Sequence, residues 1–541
     1  MIHSEFCILN SAFTTLITIM KIEIYDTTLR DGAQGVGVEF SDDDRRRVIH
    51  VLDRLGVDYI EAGMITDAAS EAFFETLGPM QKELSCAKLC VFAPTAKVGT
   101  AAADDPLLRL AAKAPTPAAA VFGKAWLWQV TEVLGATAEE NLRLIRDSVS
   151  YLVSSGKEVL FDAEHFFDGW ADNPDYAMSV VDAAFEAGAS RVVLCDTNGG
   201  MLPDVVGLVT GAVCRKYDRV GIHCHNDMGM AAACSVAAVL AGASHVQGTV
   251  SGIGERCGNA NLNTLIPVLQ CKLGFDCIGE RLSALTSAAR AVSDAANLSF
   301  DESEPFVGGY AFTHKAGTHI DGVTKRPRSF EHIDPAAVGN ERNTVVSGLS
   351  GRAAIVDKMR AAFPEERFSK DDPRVLCAAS MIREREAEGF DYEDASASLM
   401  LVLDEALGVR QSFFRLESLK VIVDENAGDA FSASAVIKIA VGEREYLTAG
   451  EGNGPVNAID EALRRALLRF YPQIAEMHLT DYRVRVLDSR ATASAVRVAI
   501  ESTDGRSVWR TVGVSSDVIN ASWQALRDSV EYMLKTRQNE E

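Results

Sequence analysis

The stretch TAEENLRLIRDSVSYLVSSGKEVLFDA (residues 137–163) joins two periodicities. Thr137 precedes apolar residues at helical spacing, with acids in the first turn and Gly156 closing the segment. KEVLFDA (157–163) follows directly as a short β-rich run. Seven more such runs occur: IEIYD (22–26), VDYIEAG (57–63), AKLCVFA (87–93), AAAVFG (118–123), RVVLCDT (191–197), RVGIHCH (219–225) and HVQGTV (245–250). Helix-like segments such as SDDDRRRVIHVLDRLG (41–56), capped by Ser41, separate them. Strand and helix alternating eight times predict an α/β fold, a (β/α)8 TIM barrel over residues 20–275.

Chemistry in such a barrel sits at the C-terminal ends of the strands. Those ends carry Arg30 and Asp31, Glu61, Lys124, Glu164, Asp196 and Thr197, His223 and His225, then Glu255 and Asn259. Residues i and i+2 of a strand share a side, so His223 and His225 project together while Cys224 points away. They are either a hydrogen-bonded pair filling the barrel or two ligands of one metal ion. Asp31 and Asn259 at neighbouring strand ends add a carboxylate and an amide oxygen, a donor set suited to Mn, Mg, Zn or Co. Arg30 stays protonated and cannot act as a base; its use is to stabilise an oxyanion developing on a bound carbonyl.

The bulk numbers exclude other classes. With 53 Lys+Arg against 76 Asp+Glu, the formal charge of -23 argues against a nucleic-acid partner. No stretch approaches the roughly 18 uninterrupted apolar residues of a membrane span. Eleven cysteines, an odd number without paired spacing, suit reduced thiols in the cytoplasm; Cys86 and Cys90 read as packing residues. Residues 1–19 lack a signal-peptide pattern and read as a disordered tail or an upstream-start artefact ahead of MKIEIYD.

Residues 276–410 read as helical linker subdomains that contribute to the active site, with the glycine-broken PFVGGYAFTHKAGTHIDGV (305–323) as a functional loop. Residues 411–541 form an α+β domain with an internal repeat. YLTAGEGNGPVNAIDEALRR (446–465) and WRTVGVSSDVINASWQALRD (509–528) align without a gap at Thr448/Thr511, Gly450/Gly513, Asn457/Asn520 and Ala458/Ala521. Two copies of one β-β-β-α unit, packed as a pseudo-symmetric pair, are expected, with a ligand cleft between them.

The motifs DTTLRDG, AEHFFDG, LCDTNGG, HCHND, GERCGNAN, AFTHKAGTHIDG, EHIDPAAVGNER and EGNGPVNA, spread over residues 21–535, resemble the Claisen-type enzymes that condense α-keto acids with acetyl-CoA: the 2-isopropylmalate, homocitrate and citramalate synthases. The likeness is nearest the citramalate-forming branch. It implies a divalent metal on Asp31, His223 and His225 with Asn259 nearby, and Arg30 polarising the ketone of pyruvate. It also implies an acid–histidine base, Glu164 with His319, acting on acetyl-CoA, and His319 could come from a partner subunit. Thr197 would hold the keto acid carboxylate, with Gln34 and Tyr310 as supporting polar groups. A homodimer and an isoleucine effector on the C-terminal regulatory domain are further implications.

Three departures stand out: Ala33 where an acid is usual, Leu127 and Gln129 where an acid and a histidine are usual, and Met228, a larger residue than usual, which would narrow the acceptor pocket. The nearest rival is a 2-isopropylmalate synthase, which takes the larger 2-oxoisovalerate. A hydroxymethylglutaryl-CoA-type lyase shares the barrel motifs but lacks the repeat domain. A non-catalytic metal-binding sensor would have no use for an oxyanion donor and a base together.

Overall fold

The computed structural model describes residues 20–344, 351–425, 431–487, 494–505 and 507–540. The expectation for residues 1–19 lies outside the described residues. Eight parallel strands close into a barrel in the order β1-β2-β3-β4-β5-β6-β7-β8. They are β1 (Glu23–Asp26), β2 (Tyr59–Met64), β3 (Lys88–Pro94), β4 (Ala118–Lys124), β5 (Glu158–Glu164), β6 (Arg191–Asp196), β7 (Val220–Cys224) and β8 (His245–Gly248). Each falls on a β-rich run of the sequence, and pairing of Glu23 with His245 and Asp26 with Gly248 closes the ring.

The helices begin where the caps require. The Ser41 side chain accepts from Asp44 N and Asp44 returns a bond to the Ser41 backbone, a capping box that starts helix Asp42–Leu55. Thr137 accepts from Glu140 N at the head of helix Ala138–Ser154. The alternation of the strands sorts side chains between two cores. Cys224 joins the apolar layer between strands and helices, while Tyr25, Tyr59, Cys90, Phe92 and Leu160 fill the barrel interior. Among the described residues no helix is long and apolar enough to cross a membrane.

The chain forms two compact units. The first holds the barrel and runs to Phe312, with His332–Arg342 added. It continues past residue 275 because helix Leu285–Ala295 packs on helix Asp42–Leu55. The second comprises Thr313–Glu331 and Asn343–Glu541, so residues 276–410 are divided between the units.

Within the second unit a short parallel pair, β9 (Thr313–His314) and β10 (Asn343–Thr344), precedes two three-stranded antiparallel sheets. The first is β11 (Arg415–Glu425), β12 (Phe431–Val441) and β13 (Arg444–Gly452), followed by helix Pro455–Leu467. The second is β14 (His478–Val486), β15 (Val496–Thr503) and β16 (Val508–Ser515), followed by helix Val518–Glu540. The repeated residues perform one task twice. Thr448 Oγ1 donates to Ala462 O at 2.8 Å and Thr511 Oγ1 to Ala525 O at 2.7 Å, tying each third strand to its helix. Gly450 and Gly513 let that helix approach, since a Cβ there would lie 2.5 Å from Ala462 N and 2.1 Å from Ala521 O.

Gly513→Ala is therefore expected to destabilise the second unit by about 1–3 kcal/mol. Hydrogen exchange of the β16 amides measures this, and protection equal to wild type would contradict the close approach.

Candidate active site

The site grows from the end of β1. After Asp26 the chain turns, with the amides of Arg30 and Asp31 bonded back to Thr27 O. The turn aims both side chains into the barrel mouth. Arg30 Nε lies 2.7 Å from Glu61 Oε2 and its Nη1 2.7 Å from Asp31 Oδ2. Its guanidinium also stacks 4.0 Å over the Phe92 ring. Glu61, fully buried on β2, accepts from Tyr25 Oη at 2.8 Å and from Thr27 Oγ1. Burial alone would lower the pKa of Arg30, but Glu61 and Asp31 outweigh it and hold the guanidinium protonated.

Asp31 is the hinge between this ion-pair group and the histidines. Its Oδ2 lies 3.7 Å from His223 Nε2 and 3.9 Å from His225 Nε2. Burial pushes the Asp31 carboxyl up, yet Arg30 and then the two histidines hold it well below the usual carboxylate range. Burial, followed by the neighbouring His225, pushes His223 down to about 3, and burial lowers His225 as well. The site thus offers two neutral imidazoles and an anionic carboxylate. Their donor atoms lie within 4.8 Å of one another.

These residues fit a metal ion. Neutral imidazole nitrogens and a carboxylate oxygen are the donors that borderline divalent ions prefer. His225 Nδ1 and Asn259 Oδ1 are also buried without a hydrogen-bond partner. Asn259 uses its amide nitrogen as well. Its Nδ2 donates to Asp31 Oδ1 at 3.0 Å and to Ile253 O at 3.1 Å. Its Nδ2 thereby orients the Asp31 carboxylate, while its Oδ1 is the amide oxygen left for a cation.

A cavity of about 250 Å³ opens beside this group. Arg30, Asp31, Gln34, Glu164, Thr197, His223 and His225 line it. Glu164 ends β5 with Oε2 2.6 Å from Lys124 Nζ, so the candidate base enters the cavity already paired. Thr197 Oγ1 accepts from His165 N at 2.8 Å. Tyr310, 47% exposed in the first unit, is not among the lining residues. His319 belongs to the second unit, where it lies exposed on helix Gly317–Lys325 and stacks on Phe330 at 4.3 Å between ring centroids.

Sequence reading missed part of the wall. Phe92 and Phe122, stacked at 5.1 Å, line the cavity together with Asp162, Cys195 and Arg256. Met228 does not narrow it: that side chain is 46% exposed and is not among the lining residues. Gln129 Nε2 lies 3.0 Å from His165 Nε2, Leu127 packs on the outer barrel core, and Ala33 lines a separate pocket beyond Arg30. Arg256 holds a left-handed φ of 56° while bonding Asp227 twice and Thr197 O, which clamps the loops after β6 and β7.

The family model HMGL-like matches residues 21–292. Homocitrate synthase post-HMGL domain-like matches 306–365, and LeuA allosteric (dimerisation) domain matches 393–534. The chain is 44% identical over 526 residues to an (R)-citramalate synthase of Aquifex aeolicus, covering 96% of this chain and 99% of that one. It is 43% identical over 529 residues to an (R)-citramalate synthase of Synechocystis sp., covering 95% and 96%. Identity to a probable 2-isopropylmalate synthase of Methanopyrus kandleri is 31% over 524 residues, covering 96% and 99%.

Arg30→Met would leave Glu61 and Asp31 buried without their cation, and is expected to cost about 3–5 kcal/mol of barrel stability. Chemical unfolding of the barrel unit tests this; a loss below about 1 kcal/mol, the size of an exposed pair, would contradict the buried ion-pair group.

Proposed function

This chain belongs to the (R)-citramalate synthase family within the HMGL-like barrels, and from that premise we propose that it condenses acetyl-CoA with pyruvate to give (R)-citramalate and CoA. The observation that carries this reading is the meeting of Arg30 with Asp31, His223 and His225 in one small, aromatic-walled cavity. A divalent cation on those three side chains, Mn, Mg, Zn or Co, supplies Lewis-acid polarisation of the acceptor ketone.

The chain's own groups divide the remaining work. Thr197 and Gln34 take the acceptor carboxylate. Arg30 has spent Nε and Nη1 on Glu61 and Asp31, which leaves Nη2 to donate to the ketone oxygen as charge develops there. Glu164 removes a proton from the acetyl methyl group. The resulting carbon attacks the ketone carbon, and the former ketone oxygen takes up a proton as the tertiary alcohol. Water then cleaves the thioester and releases CoA, which draws the reaction forward.

Phe92 and Phe122 wall the cavity, and we assign it pyruvate, whose methyl group is smaller than the side chain of 2-oxobutyrate or 2-oxoisovalerate. The C-terminal repeats match an allosteric domain, and we assign them a branched-chain amino acid effector, isoleucine, as the end product of a threonine-independent route. Their sheets expose Ile422, Val423, Leu447, Val484, Val486 and Val508, apolar surface suited to a second copy in a homodimer. The reaction is placed in the cytoplasm.

CoA thiol release should be fastest with pyruvate, slower with 2-oxobutyrate and slowest with 2-oxoisovalerate. It should fall with a chelator, return with added divalent metal, and decrease with isoleucine. Phe122→Ala should move kcat/KM toward 2-oxoisovalerate by about 10–100-fold. A wild-type preference for 2-oxoisovalerate would overturn the pyruvate assignment, and activity unchanged after metal removal would overturn the metal.

A further inference from the structure

The two imidazoles facing Asp31 are supported unequally. His225 Nδ1 is buried without a hydrogen-bond partner. His223 Nδ1 lies 2.9 Å from Gln247 Oε1. Gln247 is fully buried on β8, opposite His223 in the β7–β8 register, and its Nε2 reaches Asp162 Oδ1 on β5 at 3.1 Å. Three interior side chains from three strands therefore form one line.

The line has a direction. A primary amide has one donor end and one acceptor end. As a carboxylate Asp162 occupies the donor end, because an ionised Oδ1 can only accept from Nε2; burial pushes that carboxyl up to about 7, so the line keeps this direction above that pH. The end that faces His223 is then the acceptor, so the hydrogen in that contact comes from Nδ1. A neutral imidazole with its proton on Nδ1 carries its lone pair on Nε2, the atom that faces Asp31.

We propose that Asp162 and Gln247 form a relay of fixed polarity that selects the Nδ1–H tautomer of His223, making Gln247 a positioning residue for metal capture. The inference rests on Asp31, His223 and His225 being the ligands. It assigns work to a glutamine that volume alone would not demand: a side chain needed only to fill the barrel could be methionine, of similar length and flexibility. A ligand histidine commonly gives its second nitrogen to an acceptor that fixes the ring, and loss of such an acceptor weakens metal binding. Here that acceptor is neutral, and Asp162 sets its orientation from the far side of the barrel.

Two measurements decide it. In metal-free wild type, nitrogen-15 NMR of labelled histidines, with His223 identified by its loss in His223→Gln, should find the proton on Nδ1; an Nε2–H form would overturn the relay. In the second, zinc affinity is read by competition with a chromogenic chelator. Gln247→Met should bind about 10–100-fold more weakly, and Gln247→Glu, which keeps an acceptor toward Nδ1, should stay within about threefold of wild type. Undiminished binding by Gln247→Met, or equal loss in both variants, would overturn the proposal. Failure of wild type to bind zinc would instead count against the ligand set, and the tautomer measurement would still decide the relay. It decides equally if Gln247→Met does not fold.

Discussion

Arg30, its side chain 14% exposed, is wedged between the buried carboxylates of Glu61 and Asp31, and the active rim takes its shape from that wedge. Moving charges out of water costs several kcal/mol per ion, so each must find close, well-directed partners. Glu61 meets this by accepting from Tyr25, Thr27 and Arg30 together. Asp31 meets it through Arg30 on Oδ2 and Asn259 on Oδ1, and the same Oδ2 faces the two imidazoles. One positive and two negative charges leave the group formally short of one cation. A divalent ion beside Asp31 would turn that single negative charge into a single positive one, so the electrostatics of the wedge favour a cation there.

The same wedge places the chemistry. Fixed by Glu61 and stacked on Phe92, Arg30 has little freedom to follow a ligand, which is what a preorganised oxyanion donor requires. Phe92 belongs at once to this support and to the wall of the cavity. The shape of the cavity and the aim of the guanidinium are therefore mechanically connected.

The barrel was legible because every strand carries a compact β-rich run and its helices carry their own caps, signals that are local in sequence. Arg30, Asp31, Glu164, Thr197, His223 and His225 were legible because they stand at strand ends, where topology alone delivers them to one rim. Of the residues that escaped notice, Arg256 stands in the loop after β8 and the others lie inside strands. Phe92, Phe122 and Gln247 are an ordinary aromatic, another aromatic and a polar residue in β-rich runs, and alternation does not say which inward side chain meets a cavity and which meets a neighbour. Asn259 was found, but the direction of its amide depends on Asp31 and Ile253, partners distant in sequence. Met228 misled because it follows the histidines closely in sequence while its loop turns outward. In the C-terminal domain, repetition itself was the signal: threonine and glycine recur at one offset because each sheet is fastened to its helix in the same way.

Diffraction from crystals loaded with manganese, recorded where that metal scatters anomalously, examines the ligand group most directly. A single strong peak should lie within bonding distance of Asp31, His223 Nε2 and His225 Nε2, with pyruvate, when added, beside Arg30 and against Phe92 and Phe122. A peak bound by other side chains, or no peak at the barrel mouth, would contradict the assignment.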